Sequence, residues 1–109
     1  MNRLFVYGIF LDQSMRDRYA MTGEHYATVK GYATIGDSIV AAIPMSESFA
    51  LSGMVVDVAP SRSGITPPTR GLVVDNWQAL DSLEAGYDRI KVTTTDGENC
   101  WMYVSRYYK

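Results

Sequence analysis

Cysteine and histidine are nearly absent: Cys100 and His25 are single occurrences in 109 residues. A lone cysteine closes no intramolecular disulfide, and without a Cys/His cluster there is no spacing that suggests a structural zinc site. A Cys–His or Ser–His–Asp nucleophilic apparatus would need His25 to meet its partner by chance, because no local pattern joins them. Neither a metal nor any other cofactor is expected. Long apolar runs are missing too. Leu4-Phe5-Val6-Tyr7 stops at Gly8, too short for the apolar segment of a signal peptide or for a membrane span, so a cytoplasmic protein without membrane contact is expected.

Charge of one sign is also lacking. The 10 Lys and Arg residues against 12 Asp and Glu leave a net charge of −2, and the basic residues stand singly rather than in a stripe. That distribution lacks the electrostatic footprint of a nucleic-acid binder and suits a small-molecule partner. No linker-like stretch divides the chain, so one domain over residues 1–109 is expected. What is present is an ordinary globular composition, 47% apolar and 20% charged, able to form a core.

Arg3-Leu4-Phe5-Val6-Tyr7 reads as a buried strand ended by a glycine turn. Asp12 is a candidate N-cap for a short helix over residues 12–21. Strands are expected over 28–36, from Ser38 to Ile43, and from Ala50 to Val58, the last with Met54, Val56 and Val58 on one face and Val55 and Asp57 on the other. Residues 59–69 have the Pro, Ser, Gly and Thr content of an exposed connection. Gly71-Leu72-Val73-Val74-Asp75 resumes strand character, and a helix runs from Trp77 to Glu84 before Gly86 stops it. Residues 90–95 and 99–105 form a hairpin turning at Asp96-Gly97. Many short strands, few helices and no βαβ alternation indicate an α+β barrel-like fold.

On a helical wheel at roughly 100° per residue, Glu84 falls between Trp77 and Leu80, on the apolar side. Burial there, and the nearby unpaired carbonyls of a helix end, would both raise its pKa, which suits a general base working near neutral pH. The alternative is that Glu84 swings to solvent or pairs with Arg89. Asp81 lies nearer the solvent edge and reads as a supporting residue. At the other end of the chain, Tyr7-Gly8 allows a sharp turn whose backbone N–H groups would point into a cavity and bind a carboxylate or oxyanion, or else it is an ordinary turn with a core tyrosine.

Leu4-Phe5-Val6-Tyr7-Gly8-Ile9-Phe10-Leu11, Gly71-Leu72-Val73-Val74-Asp75, Leu80-Asp81-Ser82-Leu83-Glu84-Ala85-Gly86-Tyr87-Asp88-Arg89 and Cys100-Trp101-Met102-Tyr103-Val104 together resemble the gamma-glutamyl cyclotransferase-like family. That family shows Tyr-Gly-(Ser/Thr)-Leu after the first strand, then Leu-Asp-x-x-Glu-Gly, then Ala-Trp-x-Tyr-Val in a closing hairpin. The order and spacing agree over nearly the whole chain. The resemblance implies a small mixed β-barrel with one or two flanking helices and a cavity between the Tyr-Gly loop and the glutamate. It also implies cyclisation of a gamma-glutamyl amino acid, peptide or amine to 5-oxoproline with release of the amine. Glu84 would be the catalytic acid/base, and Tyr7, Gly8, Ile9 and Phe10 would bind substrate. Tyr87 and Tyr103 would either line the pocket or belong to the core.

Two departures from the pattern bear on substrate choice and helix ending. Ile9 and Phe10 replace a small hydroxyl residue and leucine, removing a side-chain hydrogen bond, and Ala85 intervenes between Glu84 and Gly86. A non-catalytic domain that keeps the fold and binds a small ligand is the competing reading. Single-stranded nucleic-acid binding would rest on Arg106-Tyr107-Tyr108-Lys109 alone.

Overall fold

The structure is a computed structural model that describes residues 1–36 and 40–106. In chain order the elements are β1 (Arg3–Val6), a 3-10 turn (Gly8–Leu11), α1 (Gln13–Arg18), β2 (Met21–Lys30), β3 (Tyr32–Ile35), β4 (Ala41–Pro44), β5 (Ala50–Val58), β6 (Ser61–Ser63), β7 (Val73–Asp75), α2 (Asn76–Leu83), β8 (Tyr87–Thr93) and β9 (Asn99–Ser105).

A five-stranded sheet, ordered β2-β5-β1-β9-β8, carries the fold. Only β1 and β9 pair in parallel, with Leu4 opposite Trp101; the other pairings in the sheet are antiparallel. Successive side chains on a strand point to opposite faces, so the inner strands can feed two cores at once. Phe5, Val55, Cys100 and Met102 project to one face, where Ala42 of the β3–β4 ribbon joins them. Leu4, Val6, Val56 and Val58 project to the other, where Phe10, Met15 and Leu80 from the helical elements cover them. The split expected for β5 is the one observed: Met54, Val56 and Val58 lie in one cluster and Val55 in the other. Strands β1 and β5 approach so closely that a Cβ on Gly53 would collide with the Val6 carbonyl oxygen and the Phe5 ring.

The barrel expectation is corrected. Among the described residues the sheet is open, with β2 and β8 as its edges, and the β3–β4 and β6–β7 ribbons stand as separate two-stranded sheets. Helices cover one face rather than a strand closing the circuit, so the architecture is α+β built on an open sheet.

Several boundaries also shift. Asp12 accepts from the Ser14 N–H at 3.1 Å and caps α1, as expected, but the helix ends at Arg18. Ala20, at φ 52, reverses the chain into β2, whose outer half is exposed and polar. The connection over residues 59–69 contains β6, which pairs with β7. The strand expected from Ser38 to Ile43 is observed as β4, Ala41–Pro44; Ser38 and Ile39, like Tyr107, Tyr108 and Lys109 of the terminal cluster, lie outside the described residues. The last hairpin starts earlier than expected, at Tyr87, and residues 94–98 connect its strands, with Gly97 at φ 88 donating to the Thr94 carbonyl.

Candidate active site

Two chain segments meet at a cavity of about 540 Å³, within the usual range for small-molecule sites. One is the turn after β1. Gly8 adopts φ +71, a conformation that a side-chain-bearing residue rarely takes, and the chain folds at once into the 3-10 turn. Phe10 rotates inward, 3% exposed, with its ring edge-on to Tyr19 at 5.6 Å. Ile9 turns outward. With Tyr7 as the residue preceding the turn, the i to i+3 pattern uses the Phe10 N–H and leaves those of Gly8 and Ile9 without a partner inside it.

The other segment is the end of α2. Asp75 caps this helix by accepting from the Gln78 N–H at 3.1 Å, and Leu80 pins its inner face in the core. Glu84 closes the helix, its N–H donating to the Leu80 carbonyl at 2.9 Å. Its side chain is half-buried and lines the cavity together with Gly8, Ile9, Tyr87 and Tyr103. Burial raises the carboxyl above the ordinary carboxylate range. No hydrogen bond or ion pair satisfies it among the described residues.

Arg89, the expected rival partner, goes elsewhere. Its guanidinium sits over the rings of Trp77 and Trp101, at 4.5 and 4.8 Å, and its Nε reaches Asp81 at 3.2 Å. Asp81 also accepts from the Tyr103 hydroxyl at 2.7 Å. The Asp81 carboxylate therefore holds the cation, and Glu84 is left facing the cavity.

Three tyrosines surround Glu84, and all have hydroxyls raised in pKa. For each the first cause is burial; the negative charge of Glu84 adds to it, which sets the carboxylate within electrostatic reach of all three. Their roles differ. The Tyr7 hydroxyl accepts from the Ala42 N–H at 3.0 Å and donates to the Tyr103 carbonyl, so it ties β4 to β9. Tyr103 is bound to Asp81. The Tyr87 hydroxyl has no hydrogen-bond partner among the described residues. Tyr7→Phe removes a bridge and strands a buried amide, and should cost about 1–3 kcal/mol of folding free energy, read as a lower urea midpoint with an unchanged m value.

Two residues that the sequence reading passed over support this geometry. Arg16, 5% exposed, donates from Nη1 to the Phe10 and Leu11 carbonyls at 2.9 and 2.7 Å and so holds the far end of the turn. Asn76, fully buried, donates to the Tyr19 and Ala59 carbonyls at 2.7 and 2.9 Å and accepts from Arg62 at 2.8 Å. It fastens the start of α2 to the end of α1. Cys100 and His25 do not meet. The thiol is buried in the first core, with its pKa pushed up to about 11 by burial, while His25 stands exposed against Glu98. Among the described residues no group of three or more His, Cys, Asp or Glu could hold a metal ion, and no helix is long and apolar enough to cross a membrane.

No family model and no curated protein matches this sequence. Solved structures do. A protein from Arabidopsis thaliana known from a solution structure superposes with a TM-score of 0.67 at 20% identity, over 96% of this chain and 68% of its own. An uncharacterised protein from Pyrococcus horikoshii gives 0.62 at 15% identity, over 96% of this chain and 78% of its own. A gamma-glutamyl cyclotransferase gives 0.60 at 16% identity, over 98% of this chain and 68% of its own. At these identities what is shared is the fold, and the chain has the fold that a gamma-glutamyl cyclotransferase also adopts.

Proposed function

We propose that the protein is an enzyme of the gamma-glutamyl cyclotransferase type, converting a gamma-glutamyl compound to 5-oxoproline and a free amine. The observation that carries this reading is Glu84: a half-buried carboxylate without a partner among the described residues, lining one cavity with the Gly8–Ile9 turn. The fold shared with a gamma-glutamyl cyclotransferase supports it.

In this reading the substrate's α-ammonium gives a proton to Glu84, and the freed nitrogen attacks the substrate's own γ-carbonyl carbon. A carbon–nitrogen bond forms to close the lactam, and the bond from that carbon to the departing nitrogen breaks. The attacking nitrogen sheds two protons and the departing amine, leaving as its ammonium ion, gains two, so no water is consumed. A carboxylate that accepts a proton and returns it is sufficient. Nucleophile and electrophile share one molecule, so folding the substrate in the cavity replaces an encounter by an orientation. The N–H groups of Gly8 and Ile9 are the donors available for the substrate carboxylate or for the oxygen that becomes negative at the γ-carbon.

A base must be ionised to act. Because burial raises Glu84, kcat/KM should fall as pH is lowered through a pKa above the ordinary carboxylate range, and that inflection should be absent from any residual activity of Glu84→Gln. Incubation with a panel of gamma-glutamyl amino acids, peptides and amines, followed by assay of 5-oxoproline, tests the activity; an inert panel rejects it. The second reading, a ligand-binding domain without turnover, draws on the outward Ile9 and on the commitment of the Tyr7 and Tyr103 hydroxyls to the scaffold. It predicts ligand binding that is indifferent to Glu84→Ala.

A further inference from the structure

Resting on the reading of Glu84 given above, we propose that the site selects gamma-glutamyl amides whose departing amine is apolar and carries no carboxylate, and that Ile9 and Leu83 make this selection. Both line the cavity while remaining 53% and 44% exposed, which sets them at its opening. They come from the two segments that build the site, one residue beyond Gly8 and one before Glu84, and so bracket the carboxylate. Val40 and Ala85 extend the same apolar collar; Val40 packs against Gly8, 3.6 Å from where a Cβ on that glycine would stand.

The charges agree with the shape. Glu84 is the single charged side chain among the described residues of the cavity wall. No cation there would receive a second carboxylate, and Glu84 would repel one. The arginines around it are engaged: Arg16, behind the turn, with the Phe10 and Leu11 carbonyls, and, in a neighbouring recess that shares Tyr87, Arg89 with Asp81 and Arg106 with Asp88 at 3.1 Å. A departing alkyl group would instead cover Ile9 and Leu83, and apolar contact of this size discriminates between ligands by tens of fold.

Two ligands with the same gamma-glutamyl half separate the possibilities: gamma-glutamyl-n-butylamide and gamma-glutamyl-alanine. Their kcat/KM is measured with the unaltered protein, and their Kd by calorimetry with Glu84→Gln, in which turnover is slowed enough for binding to be read. The butylamide should be favoured by at least about tenfold in both measurements, and Ile9→Ser or Leu83→Ser should reduce that ratio to a few-fold. Both side chains are exposed, so these substitutions leave folding intact. If neither compound is turned over yet the binding ratio holds, the reaction assigned to Glu84 is wrong and the apolar selection stands. Equal affinity, preference for the alanine compound, or no binding of either overturns the selection, whether or not turnover is seen.

Discussion

Replacing Glu84 by glutamine should lower 5-oxoproline formation by about 10²–10⁴-fold, the usual contribution of a positioned acid/base, while leaving the protein at least as stable at neutral pH. The second half of that expectation follows from burial. The folded state raises the Glu84 pKa, so it favours the protonated form relative to the unfolded chain. The stability linked to that proton is fully present below the ordinary carboxylate pKa and is lost as pH rises through the folded value. Above its raised pKa the native protein carries a charge that its surroundings disfavour, and glutamine, uncharged and of similar size, relieves this. The stability difference between the two proteins should shrink to nothing in acid, where the glutamate is protonated in both states. Activity lost together with stability would point to a structural carboxylate; activity lost while stability is kept, or gained, is what a functional group held at a cost produces. Rates from coupled 5-oxoproline assays and urea unfolding at two pH values give both answers.

Asn76→Ala should give the largest loss of stability, about 3 kcal/mol or more. The side chain is fully buried and makes three hydrogen bonds, so its removal leaves the Tyr19 and Ala59 carbonyls and the Arg62 Nε–H without their partner. Each stranded group of this kind costs about 1–3 kcal/mol. Against a total of roughly 5–15 kcal/mol for a domain, that is a large fraction. The position of Asn76 matters as much as its bond count. It is the first residue of α2, whose far end is Glu84, and it binds that helix to the end of α1, to Ala59 just after β5, and to Arg62 in β6. Arg62, which it receives, also stacks over Tyr19 at 4.9 Å, so the loss should spread to that contact. Urea unfolding measures the effect; a loss below about 1 kcal/mol would mean that water or neighbouring groups replace the amide without difficulty.

The elements that could be read from the chain are those with a local cause. β1 ends where Gly8 permits the turn, Asp12 caps the helix after it, and the alternation from Met54 to Val58 reports a strand with a core on each side. Glu84 was legible for the same reason, since its place between Trp77 and Leu80 on the wheel follows from helical spacing alone. What was not legible depends on partners distant in sequence. Thr22-Gly23-Glu24-His25-Tyr26 shows no apolar alternation, because it lies in an exposed edge strand with a register irregularity between Thr22 and His25. The open sheet depends on the pairing of β1 with β9, residues from opposite ends of the chain.

Ion pairing was misleading in a different way. Arg89 is closer in sequence to Glu84 than to Asp81, yet the next strand lays it across two tryptophans and onto the aspartate. Asn76 and Arg16 had no visible signal at all. An asparagine opening a helix and an arginine within one are ordinary in isolation, and only the carbonyls brought to them by folding make them necessary.

The most direct measurement is a crystal structure with 5-oxoproline bound. The lactam should occupy the cavity with its ring nitrogen within hydrogen-bond distance of the Glu84 carboxylate and its polar oxygens turned toward the Gly8 and Ile9 amides. A lactam bound away from that turn, or a Glu84 side chain directed into solvent while the ligand is in the cavity, would contradict the account.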